Sequence, residues 1–215
     1  FSLVLMLALG VLAAAGAFWL LRTVAGSKRQ KVRMLAASAG CLLLTGLVLF
    51  DHWSMPLPLT DARVPEVYRL LAADPEDYAI LQLPSGRRNS FGVQGAEDTR
   101  TQYYQSVHHK RLLTGNVQRN RQFQFDYFAR IPILQSLAAL ELYGDVDAAR
   151  RASDRATAAE MVRFYDLRYV VVSPALEGRL PYADTRAAAV AYVEEVLPLD
   201  KVYDKDGWLL YEVKQ

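Results

Sequence analysis

The sequence predicts two transmembrane α-helices in a hairpin, followed by a small α/β (α+β) extracytoplasmic domain with a mixed sheet and a C-terminal β-hairpin. Three observations predict this. Phe1 to Leu21 carries no charged side chain, and its length matches the roughly 20 residues a helix needs to cross a hydrocarbon core. Met34 to Phe50 is a second uncharged run. Beyond it, strand-like and helix-like segments alternate to the end of the 215-residue chain. The net charge of +2 averages over these unlike parts.

The first run lacks a basic segment before it and meets Arg22 where a signal peptide would have a small-residue cleavage site. A membrane helix is therefore expected. A buried core helix is the alternative for the second run. Residues 22–33 hold Arg22, Lys28, Arg29, Lys31 and Arg33 and no acid. Short loops of this kind stay on the cytoplasmic side. The expected organisation is a helical hairpin over 1–50 with a basic cytoplasmic loop at 22–33, and an extracytoplasmic domain over 51–215. That makes a multi-pass protein of the cell membrane. The bilayer and other transmembrane helices are its expected partners, and nucleic acid is not. The chain begins with Phe1 and is expected to be processed or to be a piece of a longer protein. Its one cysteine, Cys41, excludes an intramolecular disulfide and a thiolate zinc site.

In the outer domain, "SMPLPL" reads as extended because Pro56 and Pro58 oppose helix. "VPEVYRLLAAD" reads as a helix with Pro65 in its first turn. "DYAILQLP" is a strand closed by Pro84. "SGRRNSFGVQGAEDTR" is a long polar loop, expected to be mobile. "TQYYQSVHH" suits a helix, and "KRLLTGNVQRNRQFQF" reads as irregular around Gly115. "FARIPILQSLAALELYG" is helical and stops at Gly144. "SDRATAAEMVRFYDL" is a helix with Ser153 or Asp154 as N-cap. "RYVVVSP" is a β-branched core strand. "DTRAAAVAYVEEVLP" is a helix opened by Asp184, and the closing segment is a hairpin turning at Asp206–Gly207.

The sequence contains no glycine-rich phosphate loop, no GxSxG elbow and no HExxH pair. His108 and His109 are adjacent and point in different directions, which makes them poor joint ligands for a metal. One of them could do acid–base work, or could simply bond a neighbouring loop. Lys110, Arg111, Arg119 and Arg121 form a basic cluster. On an outer domain such a cluster suits lipid phosphates or acidic sugars. It equally suits a solvated face with a buried arginine pairing with Asp126 or Glu141. Of the paired carboxylates, Glu194–Glu195 and Asp204–Asp206 have structural explanations, whereas Glu97–Asp98 do not.

The pattern Tyr104, Gln105, His108, Lys110, Gly115 and Arg119 resembles a run in the C-terminal region of bacterial polytopic GT-C-type membrane glycosyltransferases, including mannosyltransferase-like proteins. Asp51, Pro56, Pro58, "VPEVYRLLA", "YAILQLP", "LRYVVVSP" and "DGWLLYEV" extend the likeness. Arg111 stands where the family tends to have proline. The resemblance implies transfer from a lipid-linked sugar donor. The catalytic acids would lie in an outer loop that this chain does not contain, so its own catalytic residues are unknown. Gln105, His108, Lys110, Arg119 and Tyr104 are the implied substrate- or phosphate-binding residues. The chain implies no cofactor or metal of its own; a divalent metal would belong to the full-length enzyme. The rival expectation is a non-enzymatic, membrane-anchored accessory subunit of a larger complex. A glycan-binding module is a third.

Overall fold

Helices α1 (Ser2–Val24) and α2 (Gln30–Asp51) open the chain over the two apolar runs. The computed structural model describes residues 2–24, 30–51, 53, 61–117, 119, 121–175 and 181–214. They divide into two units, Phe1–Ala62 and Arg63–Gln215. Among the described residues, no helix is long and apolar enough to cross a membrane. The transmembrane hairpin expected from the sequence is therefore corrected to a pair of helices. α1 carries Arg22 in its last turn, and α2 includes Lys31 and Arg33 near its start and ends at Asp51. Residues 25–29 of the basic loop and the extended segment with Pro56 and Pro58 lie outside the described residues, while the rest of 22–33 falls within α1 and α2.

The second unit runs α3 (Glu66–Ala73), β1 (Ala79–Leu83), β2 (Arg87–Arg88), β3 (Val93–Gln94), α4 (Arg100–His108), β4 (Arg111–Leu112) and β5 (Gly115–Asn116). It continues with α5 (Gln122–Ala129), α6 (Pro132–Tyr143), α7 (Ala148–Tyr165), β6 (Leu167–Val172), α8 (Tyr182–Val196), β7 (Leu199–Lys205) and β8 (Trp208–Val213). The main sheet has the order β4-β1-β6-β8-β7. β4, β1 and β6 are parallel, and β8 and β7 add antiparallel strands at one edge. The α/β domain and its mixed sheet thus stand as expected.

Strand alternation builds a core on each face. Ala79, Leu81, Leu83, Val170 and Val172 pack with Ile133, Leu137 and Leu140 of α6, Met161 of α7 and Val193 of α8. Ile80 and Val171 face the other way, against Val67, Tyr68 and Leu71 of α3, Tyr104 of α4, and Trp208. A strand covered on both faces reads as a continuous apolar run, which is why "AILQL" and "YVVV" stand out in the sequence. The C-terminal hairpin turns where expected, with φ of 53° at Asp206 and 77° at Gly207, as a type I′ turn requires.

Local expectations differ in places, and α8 opens at Tyr182 rather than at Asp184. The helix expected to open at Ser153 or Asp154 opens earlier, where the Asp147 side chain accepts the Arg150 N–H at 2.7 Å. Asp154 is instead buried inside the helix, accepting Ser136 Oγ at 2.6 Å and Tyr192 Oη at 2.7 Å. The loop after β1, expected to be mobile, carries β2 and β3, which form a second sheet of order β3-β2-β5.

Candidate functional site

Parallel pairing of β1 and β6 brings their carboxyl ends out side by side. In open α/β sheets this is the edge where ligands bind. Buried Gln82 fastens it. Its Oε1 accepts Tyr68 Oη at 2.8 Å, and its Nε2 donates to Leu83 O at 2.9 Å and Ser173 Oγ at 3.0 Å. The chain then passes Ser85 and Gly86 into β2.

Glu141 of α6 holds this exit. It is fully buried, and its two carboxylate oxygens accept the backbone amides of Ser85 at 2.5 Å and Ala96 at 3.1 Å. Burial outweighs these two donors and pushes its carboxyl up to about 7. Gly86 donates to Ala96 O at 2.7 Å, an approach so close that a Cβ on Gly86 would lie 2.0 Å from that oxygen. A Cβ on Gly95, at φ 71°, would lie 3.0 Å from the same carboxylate. The two glycines and Glu141 together clamp the 85–96 loop.

The clamp sets Arg87. This side chain is 6% exposed. Its Nη2 donates to Leu113 O at 2.6 Å, its Cζ lies 5.0 Å from the Phe128 ring centroid, and its Nη1 has no hydrogen-bond partner among the described residues. Burial lowers its pKa to about 10, which leaves the cation intact at neutral pH. Arg87 lines a cavity of about 160 Å³ with Arg88, Thr114, Gly115, Phe125 and Phe128. Thr114 Oγ1 is also buried without a partner among the described residues.

Four of the five residues implied by the resemblance come together elsewhere, beneath α3. Tyr104 is buried and stacks on Tyr68 with centroids 4.6 Å apart. The His108 ring stacks on the same tyrosine at 5.6 Å, and its Nδ1 accepts the Lys110 N–H at 3.0 Å. Burial, then the Lys110 charge, lowers the His108 pKa to about 4, so the ring is neutral at pH 7. Gln105 donates from Nε2 to Lys110 O at 3.0 Å. Lys110, 5% exposed, donates from Nζ to the carbonyls of Asp74 at 2.6 Å and Glu76 at 2.5 Å. Arg119 stands apart, exposed in the turn between β5 and α5. His109 ends α4 in the left-handed conformation at φ 56°, its N–H bonded to Gln105 O.

The other candidates take structural partners. Arg111 pairs with Asp77 and Asp166, Glu97 with Arg88, and Asp98 with Arg100. Among the described residues, no group of three or more His, Cys, Asp or Glu could hold a metal ion. Sequence reasoning did not single out Arg87 or Thr114. The available signal was an arginine a few residues past a proline-closed core strand, at the edge where such sheets bind ligands.

The site is thus that of an α/β domain with a buried, incompletely bonded cation on a small cavity. No family model and no curated protein matches the chain. It is similar to the crystal structure of the C-terminal globular domain of an oligosaccharyltransferase from Archaeoglobus fulgidus. The TM-score is 0.36 and the identity 12%, over 74% of this chain and 100% of that one. No residue role is carried over from so distant a likeness.

Proposed function

We propose that residues 63–215 form an accessory domain of a GT-C-type glycosyltransferase that uses a lipid-linked sugar, with Arg119 as its exposed phosphate contact. One observation carries this reading. Tyr104, Gln105, His108 and Lys110 turn inward and hold α4 and β4 against α3 and β1. A motif built this way acts by position, fixing where the segment from Leu113 to Arg119 emerges. Arg119, the last residue of the pattern, is the one left at the surface. The catalytic acids belong to the rest of the enzyme. The test is sugar transfer by the full-length protein with Arg119→Ala. Transfer should fall about tenfold or more while the unfolding temperature stays unchanged, since exposed substitutions of this kind are nearly neutral for stability. Full transfer by the variant contradicts the reading.

A second reading, a non-enzymatic subunit of a larger assembly, is favoured by a groove of about 330 Å³ between α6 and α7. Tyr127, Ile131, Met161, Phe164 and Tyr165 line it, and Phe164 is exposed. An upstream open reading frame encoding the catalytic part on the same polypeptide favours the enzyme reading. Co-purification with separate subunits favours the second.

A further inference from the structure

Among the described residues, Arg87 is a buried cation in no ion pair, and the field of the Glu141 carboxylate offsets its charge only in part. Its bond at Nη2 goes to a neutral carbonyl, that of Leu113. The nearby carboxylate of Glu141 is held by the Ser85 and Ala96 amides, and Glu97 pairs with the adjacent Arg88. A buried guanidinium with an unused donor is costly, by several kcal/mol in typical cases. The Phe128 ring beneath it offsets only part of that. Thr114 lines the same cavity from the turn between β4 and β5, and its buried Oγ1 also makes no hydrogen bond among the described residues. Two residues from separate elements, one of them cationic and each holding an unused donor, therefore line one small space with Phe125 and Phe128.

We propose that this cavity binds a terminal oxyanion, a phosphate or carboxylate carried on a small carbon body, with Arg87 and Thr114 donating to its oxygens and Phe125 and Phe128 against the carbon. At about 160 Å³, the space is smaller than the roughly 300–1,000 Å³ of a drug-sized ligand site. It holds the anionic end of a ligand and a few carbons beyond it. Arg88 at the rim draws anions in but is already paired. This inference goes beyond the glycosyltransferase reading and does not rest on it: the outcome of the Arg119→Ala transfer assay leaves the anion site untouched.

The test is thermal unfolding of the full 215-residue chain in inorganic phosphate and, separately, in glucuronate, at constant ionic strength set with chloride. A ligand that binds only the folded state raises the unfolding temperature, here by about 3 °C at roughly tenfold above its dissociation constant. Arg87→Met should abolish the rise, and Thr114→Val, which keeps the shape without the hydroxyl, should reduce it severalfold. Arg87→Met need not unfold the chain, because an apolar side chain of similar length often replaces a buried charge without loss. Thr114→Val answers the question even if Arg87→Met does not fold. A rise with phosphate alone, or with glucuronate alone, supports the site and identifies the source of the oxyanion. No rise with either anion overturns the proposal, as does an equal rise in wild type and Thr114→Val, which marks a general salt effect.

Discussion

Lys110 donates through Nζ to the backbone carbonyl of Asp74 at 2.6 Å. Asp74 is the C-cap of α3, and the same ammonium reaches Glu76 O and lies 4.5 Å over the Tyr78 ring. The last carbonyls of a helix lack intrahelical partners and favour a nearby cation. The lysine of the familiar pattern therefore caps a helix, and α4 is tied to α3 through it. That tie decides which parts of the pattern remain available to a ligand.

The clamp on the 85–96 loop is sterically exact at Gly86. A methyl group there would meet the backbone of Ala96, which cannot rotate away as a side chain could. Gly86→Ala is expected to cost about 3 kcal/mol, read as a lowered urea midpoint at unchanged slope. The same change should move the Arg87 amide resonance, because the loop carries that residue. An unaltered midpoint would show that the loop is not clamped.

Asp154 joins three elements, accepting from Ser136 of α6 and Tyr192 of α8 and lying 3.4 Å from Arg150. Asp154→Ala leaves two buried hydroxyls without their acceptor and should cost about 3–5 kcal/mol. Tyr192→Phe removes one donor only and should cost about 1 kcal/mol. Chemical denaturation of both variants checks the ordering.

Glu141 and His108 give opposite pH dependences. Glu141 ionises near 4.5 in the unfolded chain and at about 7 when folded. Between these values the unfolded chain holds fewer protons, so its contribution is full below pH 4.5 and is lost as pH rises through 7. His108 ordinarily titrates near 6.5 and does so at about 4 when folded. Its contribution is present above pH 6.5 and is lost as pH falls toward 4. The two slopes oppose one another from pH 4.5 to 6.5 in the wild type. His108→Asn, whose Oδ1 still accepts the Lys110 N–H, should expose the Glu141 slope, a loss of about 3 kcal/mol between pH 4.5 and 7. Glu141→Gln should expose the reverse slope. Urea midpoints across that range decide it, and parallel profiles for the two variants would refute the assignment.

The α/β layering was legible because strands buried on both faces leave continuous β-branched runs, and because Asp206–Gly207 and Gly144 mark their turns by conformation. The α7 boundary was not. Asp147 and Asp154 are both plausible caps by residue type, and only the packing of Ser136 and Tyr192 draws the second into the core. The apolar runs were legible as helices, but the membrane spans read into them are not borne out among the described residues. His108 and Lys110 drew attention as polar groups, yet burial by Tyr68 and the α3 terminus is a property of folded neighbours far away in sequence. Arg87 was hidden for the converse reason. It sits in a polar, glycine-rich stretch whose order depends on a glutamate more than forty residues further along.

The central claim is that the inward half of the pattern fastens the fold. Equilibrium unfolding of Lys110→Met measures it most directly, because methionine keeps the length and removes only the ammonium. A loss of about 2 kcal/mol is predicted, from two charge-assisted bonds, one to the C-cap carbonyl of α3 and one to the Glu76 carbonyl just beyond it. Unchanged stability in Lys110→Met would contradict the claim and return Lys110 to the surface chemistry of a ligand contact.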